Sequence, residues 1–185
     1  MKFIIGLTGK KNSGKSTIAE YLHSTLSYEE YAFANPLKCG LIEIFGIKPE
    51  SVYGTETQKN EIDPFWNISG RELAQVVGSE LFRDYLPTLL PQLQNIWIRR
   101  MEKTLMLSLC KFILISDIRY PDEAEFVKSK NGILIRIERG ETEQNDQHQS
   151  ENQNILADYI VENNSTIDNL YKKIDSIMLE LNWNV

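Results

Sequence analysis

Short runs dominated by apolar residues recur along the chain, at positions 3–7, 112–115 and 133–137. They are rich in isoleucine and lack the apolar–polar alternation of a half-solvated strand, which is typical of parallel strands covered by helices on both faces. A fourth strand is predicted at 158–161 and a weaker fifth at 31–33.

Helical patterns separate these runs. Apolar residues at three-and-four spacing predict a helix after the first strand and another over 167–181, with Ser165 as its N-cap. Residues 121–130 carry Pro121 at the start and Asn131-Gly132 at the end. Strands that alternate with helices predict an α/β fold with a parallel sheet.

Two segments depart from this alternation. Residues 49–109 lack a clear strand and carry helix signals at 71–77 and 93–109, which predicts a helical insertion rather than a separate domain. Residues 139–154 are almost wholly polar and are predicted to form a lid. We therefore expect one domain over residues 1–185.

Amino-acid composition and net charge exclude several classes of protein. The 185 residues are 42% hydrophobic, with a formal net charge of −6, so a disordered chain and a non-specific nucleic-acid coat are both disfavoured. Two cysteines cannot supply a disulfide framework, and no stretch reaches the length of a membrane span. A reducing, cytoplasmic location is expected.

The strongest motif is the segment Gly9 to Ser16, which matches the phosphate-binding pattern G-x-x-x-x-G-K-[ST] between a predicted strand and a predicted helix. Its backbone N–H groups and the helix N-terminus would hold phosphates. Lys15 would bridge the β- and γ-phosphates, Ser16 would hold Mg²⁺, and Thr17 would lie by the α-phosphate.

An acid ends the apolar run at 112–115. Asp117, two residues beyond this run, fits the acid that orients Mg²⁺ or its waters in proteins with this phosphate-binding pattern, and Arg119 would lie at the same sheet edge. Arginine suits bidentate phosphate recognition, and every arginine lies between Arg71 and Arg139. The candidates are Arg71, Arg83, Arg119 and Arg139; Trp97 could stack on a base or pack in the core.

Further blocks extend the pattern over most of the chain: residues 34–38, residues 70–75 with Gly78, Glu80 and Arg83, residues 116–120, residues 148–151 and residues 158–163. With the Gly9–Thr17 loop, they resemble the deoxynucleoside monophosphate kinases of phages and large DNA viruses. That resemblance implies a three-layer P-loop kinase fold, with a five-stranded parallel sheet flanked by helices, a helical acceptor-binding insertion and a polar lid.

The resemblance also implies an activity: phosphoryl transfer from ATP, with Mg²⁺, to a deoxynucleoside 5′-monophosphate. The implied ATP site comprises Gly9, Lys10, Asn12, Ser13, Gly14, Lys15, Ser16, Thr17 and Asn163. The implied acceptor site comprises Lys38, Arg71, Gln75, Arg83, Trp97, Asp117, Arg119 and Glu151. Catalysis is assigned to Lys15, Asp117, Arg119 and Arg139, and the metal to Ser16 and Asp117.

Two alternatives stay open at this point. The Asp158–Asn163 piece is shared with animal-type phosphomevalonate kinases, so another small-molecule P-loop kinase is the nearest rival. A non-catalytic ATP-binding module is the second. The expected partners are small nucleotides, with no nucleic-acid polymer and no membrane, and a homodimer is possible.

Overall fold

Five parallel strands form the central sheet of the protein, whose structure, a computed structural model, describes residues 2–140 and 155–181. The strands are β1 (Phe3–Thr8), β2 (Glu29–Tyr31), β5 (Phe112–Ile115), β6 (Ile133–Glu138) and β7 (Tyr159–Glu162). They lie in the order β2-β5-β1-β6-β7. The predicted parallel sheet is confirmed, because each neighbouring pair is parallel.

The fifth strand lies earlier than the sequence predicts. We expect it at 31–33, but β2 covers Glu29–Tyr31 and pairs with residues 113–115. It is an edge strand with one neighbour, and such strands tolerate charged residues. An apolar pattern therefore misses Glu29 and Glu30.

Helices cover both faces of this sheet. On one face, α1 (Lys15–Leu26) and α9 (Ile167–Leu181) bury Ile18, Leu22, Leu170 and Ile174 against inward-facing strand residues. On the other face, α8 (Pro121–Ser129) contacts β1 and β6. The predicted three-layer arrangement, with a parallel sheet covered by helices on both faces, is therefore present.

The cap of α9 differs from the prediction by one residue. Thr166, not Ser165, accepts a hydrogen bond on its side chain, from the backbone N–H of Asn169 at 3.4 Å. Neighbouring hydroxyl residues can serve the same purpose, and the start of the helix decides between them.

The chain divides into two units, which we describe separately. The sheet and its helices belong to Met1–Ala32 with Leu107–Val185, and the second unit is Phe33–Met106. The prediction of one domain over 1–185, with an insertion at 49–109, stays a prediction.

The second unit is mainly helical. Its elements are α2 (Asn35–Phe45), α3 (Glu50–Tyr53), α4 (Glu56–Asn60), α5 (Gly70–Gln75), a π-helix (Val76–Tyr85), α6 (Leu86–Leu89), a short 3₁₀ helix (Pro91–Leu93) and α7 (Ile96–Leu107), which ends at the boundary. Leu41, Ile47, Val52 and Leu73 form its core. The expectation of no strand here is wrong, since β3 (Ile62–Asp63) and β4 (Ile68–Ser69) form a small antiparallel ribbon.

Across residues 2–140 and 155–181, the structure contains no helix with the length and apolar character needed to traverse a bilayer. The predicted lid lies largely outside the described residues, since only Arg139 and Gly140 of the 139–154 segment are described.

Candidate active site

The loop after β1 adopts a conformation that only particular residues tolerate. Gly9, Asn12 and Gly14 have φ angles of 139°, 60° and 109°. A Cβ on Gly9 would lie 2.3 Å from the Ile137 carbonyl oxygen, and one on Gly14 would lie 2.5 Å from Nδ2 of Asn163. Glycine is therefore needed at both positions, for backbone angle and for close approach.

Lys15 begins α1 and reaches back over this loop. Its ammonium group donates hydrogen bonds to the carbonyl oxygens of Gly9 and Lys10, both at 2.7 Å. These bonds hold the positive charge beside the loop. Ser16 and Thr17 follow in the first helical turn, where the aligned peptide dipoles favour an anion.

Ser13 is the most buried side chain of the loop, with 2% of its surface exposed. Its carbonyl oxygen accepts a hydrogen bond from Asn163 Nδ2 at 2.8 Å. Its hydroxyl is buried and has no hydrogen-bond partner within the described part of the chain. A buried hydroxyl that lacks a partner costs about 1–3 kcal/mol, so this group fits a loop that receives phosphate oxygens.

Asn163 lies just after β7, at the carboxyl end of that strand. Its backbone N–H donates to the Glu138 carbonyl oxygen at 2.6 Å, in addition to the side-chain bond to Ser13. The structure thus brings Asn163 to the phosphate loop, 150 positions away in the sequence. Arg139 follows β6 at the same edge, where its side chain is exposed.

The segment after β5 is fixed on both sides. The backbone N–H of Ser116 donates to Tyr31, and that of Ile118 donates to Leu7, each at 3.1 Å. Asp117 lies between them and is half-buried. Since Leu7 is near the end of β1, Asp117 lies at the carboxyl edge of the sheet with the phosphate loop.

Glu123 shapes the next turn and is a residue whose role the sequence analysis missed. It is buried, and its carboxylate accepts hydrogen bonds from the backbone N–H groups of Arg119 at 2.8 Å and Tyr120 at 3.2 Å. Its position as the third residue of α8 is a capping-box signal. That signal predicts a helix start but does not reveal that the carboxylate orients the Asp117–Arg119 turn.

In the second unit, Arg71 lies in the first turn of α5. That turn is capped by Ser69, whose Oγ accepts from the backbone N–H of Glu72 at 3.1 Å. Nη2 of Arg71 donates to the Glu56 carboxylate. Nε of Arg71 is buried and has no hydrogen-bond partner among the described residues.

Other residues predicted to bind the acceptor nucleotide also lie in the second unit. The Lys38 ammonium lies 4.9 Å from the centre of the Tyr53 ring. Trp97 donates its indole N–H to the Gly78 carbonyl oxygen at 3.0 Å and packs against Phe82, with ring centres 5.6 Å apart. Gln75 ends α5, and Arg83 lies on the π-helix, both half-buried. Glu151 lies outside the described residues.

Tyr53 and Asn35 form a contact that the sequence did not indicate. The Tyr53 hydroxyl donates to Asn35 Oδ1 at 2.5 Å and lies 3.4 Å from the Cys39 sulfur. Partial burial, together with the contact to Cys39, raises the pKa of the Tyr53 phenol to about 12. The phenol is therefore a protonated donor at neutral pH. Cys39 is exposed.

The fold and the loop together define a class. The chain resembles the crystal structure of TT1252 from Thermus thermophilus, with a TM-score of 0.55, 16% identity and coverage of 97% of this chain and 98% of that one. It also resembles shikimate kinase from Aquifex aeolicus, with a TM-score of 0.50, 15% identity and coverage of 96% of each chain. At these identities the likeness concerns the fold, which is that of a P-loop kinase.

Sequence comparison gives the family. Residues 50–174 match the model of the deoxynucleotide monophosphate kinase family. A protein of Acanthamoeba polyphaga mimivirus that is assigned as a deoxynucleotide monophosphate kinase is 37% identical over 185 residues, covering 94% of each chain. The chain belongs to the deoxynucleotide monophosphate kinase family and is a phosphotransferase, as the resemblance noted in the sequence predicts.

Proposed function

We propose that the protein transfers the γ-phosphoryl group of ATP to a deoxynucleoside 5′-monophosphate, giving ADP and a deoxynucleoside diphosphate. The observation that carries this proposal is the Gly9–Ser16 loop, with its glycine conformations and its inward lysine, in a chain of this family. The purpose would be supply of DNA precursors.

ATP would bind at the carboxyl edge of the sheet. Backbone N–H groups of Gly9, Lys10, Asn12, Ser13 and Gly14 would surround its phosphates. The buried Ser13 hydroxyl would gain a partner there. Lys15 would exchange its two carbonyl contacts for phosphate oxygens, Thr17 would lie by the α-phosphate, and Asn163 would lie near the adenine.

Mg²⁺ fits the oxygen donors at this edge. Ser16 and Asp117 would hold it, directly or through waters, since hydroxyl and carboxylate oxygens are the ligands it prefers. When bound, the ion would neutralise charge on the β- and γ-phosphates.

The acceptor would bind to the second unit. Lys38, Arg71 and Arg83 would contact its phosphate, because guanidinium and ammonium groups pair with phosphate oxygens. Gln75 and Trp97 would lie near the base. Glu151 is assigned to this site by the family resemblance alone.

The chemistry needs no general base. An anionic oxygen of the acceptor phosphate attacks the γ-phosphorus of ATP, and the bond from that phosphorus to the β–γ bridging oxygen breaks, leaving ADP. Lys15, Arg119 and Arg139 would stabilise charge on the transferred group, while Asp117 acts through the metal. Positioning of the two phosphates would supply much of the rate.

The location and assembly follow as proposals. Because ATP and deoxynucleotides are metabolites of the cell interior, we place the reaction in the cytoplasm, that of the host if the source is a virus. A homodimer stays a prediction.

The test is ADP release with ATP and Mg²⁺ against dTMP, dGMP, dCMP, dAMP, their ribonucleotide forms and phosphomevalonate. We expect rapid turnover with one or more deoxynucleotides. Turnover with phosphomevalonate alone would replace the proposed acceptor while leaving the phosphate loop's role intact. ATP binding without transfer to any acceptor would contradict the proposal.

A further inference from the structure

The Arg71 guanidinium is held from one side only. It has five N–H donors. Among the described residues, the side-chain partner that the structure gives it is Glu56, bound at Nη2. Nε is buried without a partner. Folded proteins rarely leave a buried donor in this state, which indicates that the rest of this guanidinium serves a bound group.

The position of Glu56 is held by the local structure around it. It is the first residue of α4, whose N-terminus is closed by a complete capping box: the Gln58 N–H donates to Thr55 Oγ1 at 3.3 Å and the Thr55 N–H donates to Gln58 Oε1 at 2.8 Å. The helix N-terminus favours its negative charge. Its second oxygen lies 3.6 Å from the Lys59 ammonium, so each carboxylate oxygen faces a different cation.

Arg71 is brought to Glu56 by a close backbone approach. A Cβ on the preceding residue, Gly70, would lie 2.1 Å from the Ser51 carbonyl oxygen. The start of α5 therefore lies directly against α3, from which α4 follows after two residues. A side chain at position 70 would move Arg71 away from Glu56.

We propose that Glu56 is a positioning residue for the acceptor site. Its carboxylate fixes the Arg71 guanidinium so that the remaining N–H groups receive the acceptor's phosphate on binding. This inference rests on the proposed function, since it assigns Arg71 to the monophosphate. Glu56 acts through Arg71 and does not contact the substrate.

The test measures KM for the best deoxynucleotide acceptor, KM for ATP, and kcat, in wild type and in Glu56→Ala, Glu56→Gln and Arg71→Ala. Glu56→Ala should raise the acceptor KM about tenfold, a change of ~1.4 kcal/mol. Its ATP KM and kcat should stay within about twofold. Glu56→Gln keeps an acceptor oxygen and should raise the acceptor KM only about threefold.

Two controls separate positioning from general damage. Glu61→Ala removes the same charge from an exposed residue at the end of α4 and should leave all three constants unchanged. In an Arg71→Ala background, Glu56→Ala should add no further change, because the two residues act as one unit.

The outcomes distinguish the two proposals. If wild type transfers phosphate to no deoxynucleotide, the proposed function fails. If wild type is active and Glu56→Gln or Glu56→Ala keeps the wild-type acceptor KM, or lowers it, the positioning role alone is overturned. A Glu56→Ala protein that does not fold leaves Glu56→Gln, which is close in size and shape, to decide.

Discussion

At the residue scale, two side chains hold the phosphate loop. Lys15 donates hydrogen bonds to two carbonyl oxygens of the loop, and Asn163 donates one to the Ser13 carbonyl oxygen. Both contacts hold the loop backbone, whose N–H groups are the proposed phosphate donors, in its observed conformation. Preset donors are the main source of charge stabilisation in phosphoryl transfer, because they need not reorganise during the reaction.

Replacement of Lys15 by alanine should therefore lower kcat by about 10²–10³-fold, since it removes the charge that we propose to stabilise the transferred group. The measurement is initial rate at saturating ATP and acceptor. Lys172→Ala, on the exposed face of α9, removes the same charge elsewhere and should keep wild-type activity. Near-normal turnover by Lys15→Ala would contradict the loop assignment.

At the element scale, α1 and α9 are joined by a polar contact at their surface. The Tyr21 hydroxyl donates to Asp175 Oδ1 at 2.7 Å, and the rings of Tyr21 and Tyr171 stack with centres 4.1 Å apart. The Asp175 hydrogen bond is the main reason why the pKa of Tyr21 is raised to about 12. Because the folded pKa is above the ordinary value near 10, the protonated phenol stabilises the fold.

The Tyr21–Asp175 hydrogen bond contributes fully to the free energy of unfolding below pH 10, and this contribution is lost as the pH rises from 10 towards 12. Tyr21→Phe should lower the free energy of unfolding by about 1 kcal/mol at pH 8, a value reduced because the pair lies near solvent. The difference from wild type should shrink above pH 10. Urea unfolding over this pH range measures it, with the exposed Tyr85→Phe as control. A difference that does not change with pH would refute the role of this bond.

The π-helix at Val76–Tyr85 also belongs to the element scale. The helix signal read from the sequence ends at residue 77, and it does not indicate the pitch of the helix that follows. Gly78 is buried, a Cβ on it would lie 2.6 Å from Leu37 Cδ2, and its carbonyl accepts from Trp97. Leu37 and Trp97 are distant from Gly78 in the sequence, so a local sequence pattern cannot predict these contacts.

At the scale of the whole molecule, the sheet depends on both ends of the chain. β5 lies between β1 and β2, although it follows Phe33–Met106 in the sequence. The sheet unit therefore cannot complete its core before the chain has passed through the second unit. The prediction of one domain is tested by whether the two units unfold together.

One domain should unfold in one step. We expect the urea transitions followed by tryptophan fluorescence and by far-UV circular dichroism to coincide. In a Trp183→Phe variant, fluorescence reports only Trp66 and Trp97, both in Phe33–Met106. Fluorescence and dichroism transitions with different midpoints would show that the two units unfold separately.

Much of the fold was predictable, because its signals are local. Buried parallel strands are apolar on both faces, so residues 3–7, 112–115 and 133–137 indicated them directly. The phosphate loop was predictable because its backbone angles demand glycine at fixed positions. The bounds of edge strand β2 and the presence of the ribbon of β3 and β4 were not, since short or edge strands need no apolar pattern.

The sequence by itself determined the fold class through apolar periodicity and the phosphate loop through motif residues at short spacing. It determined the family through a similarity that extends over most of the chain. Only the tertiary structure decided which distant residues meet. Asn163 on Ser13, Glu56 on Arg71 and Tyr53 on Asn35 are such pairs. A side-chain contact between elements depends on how backbones pack, as at Gly70 against Ser51, and that information is absent from either segment alone.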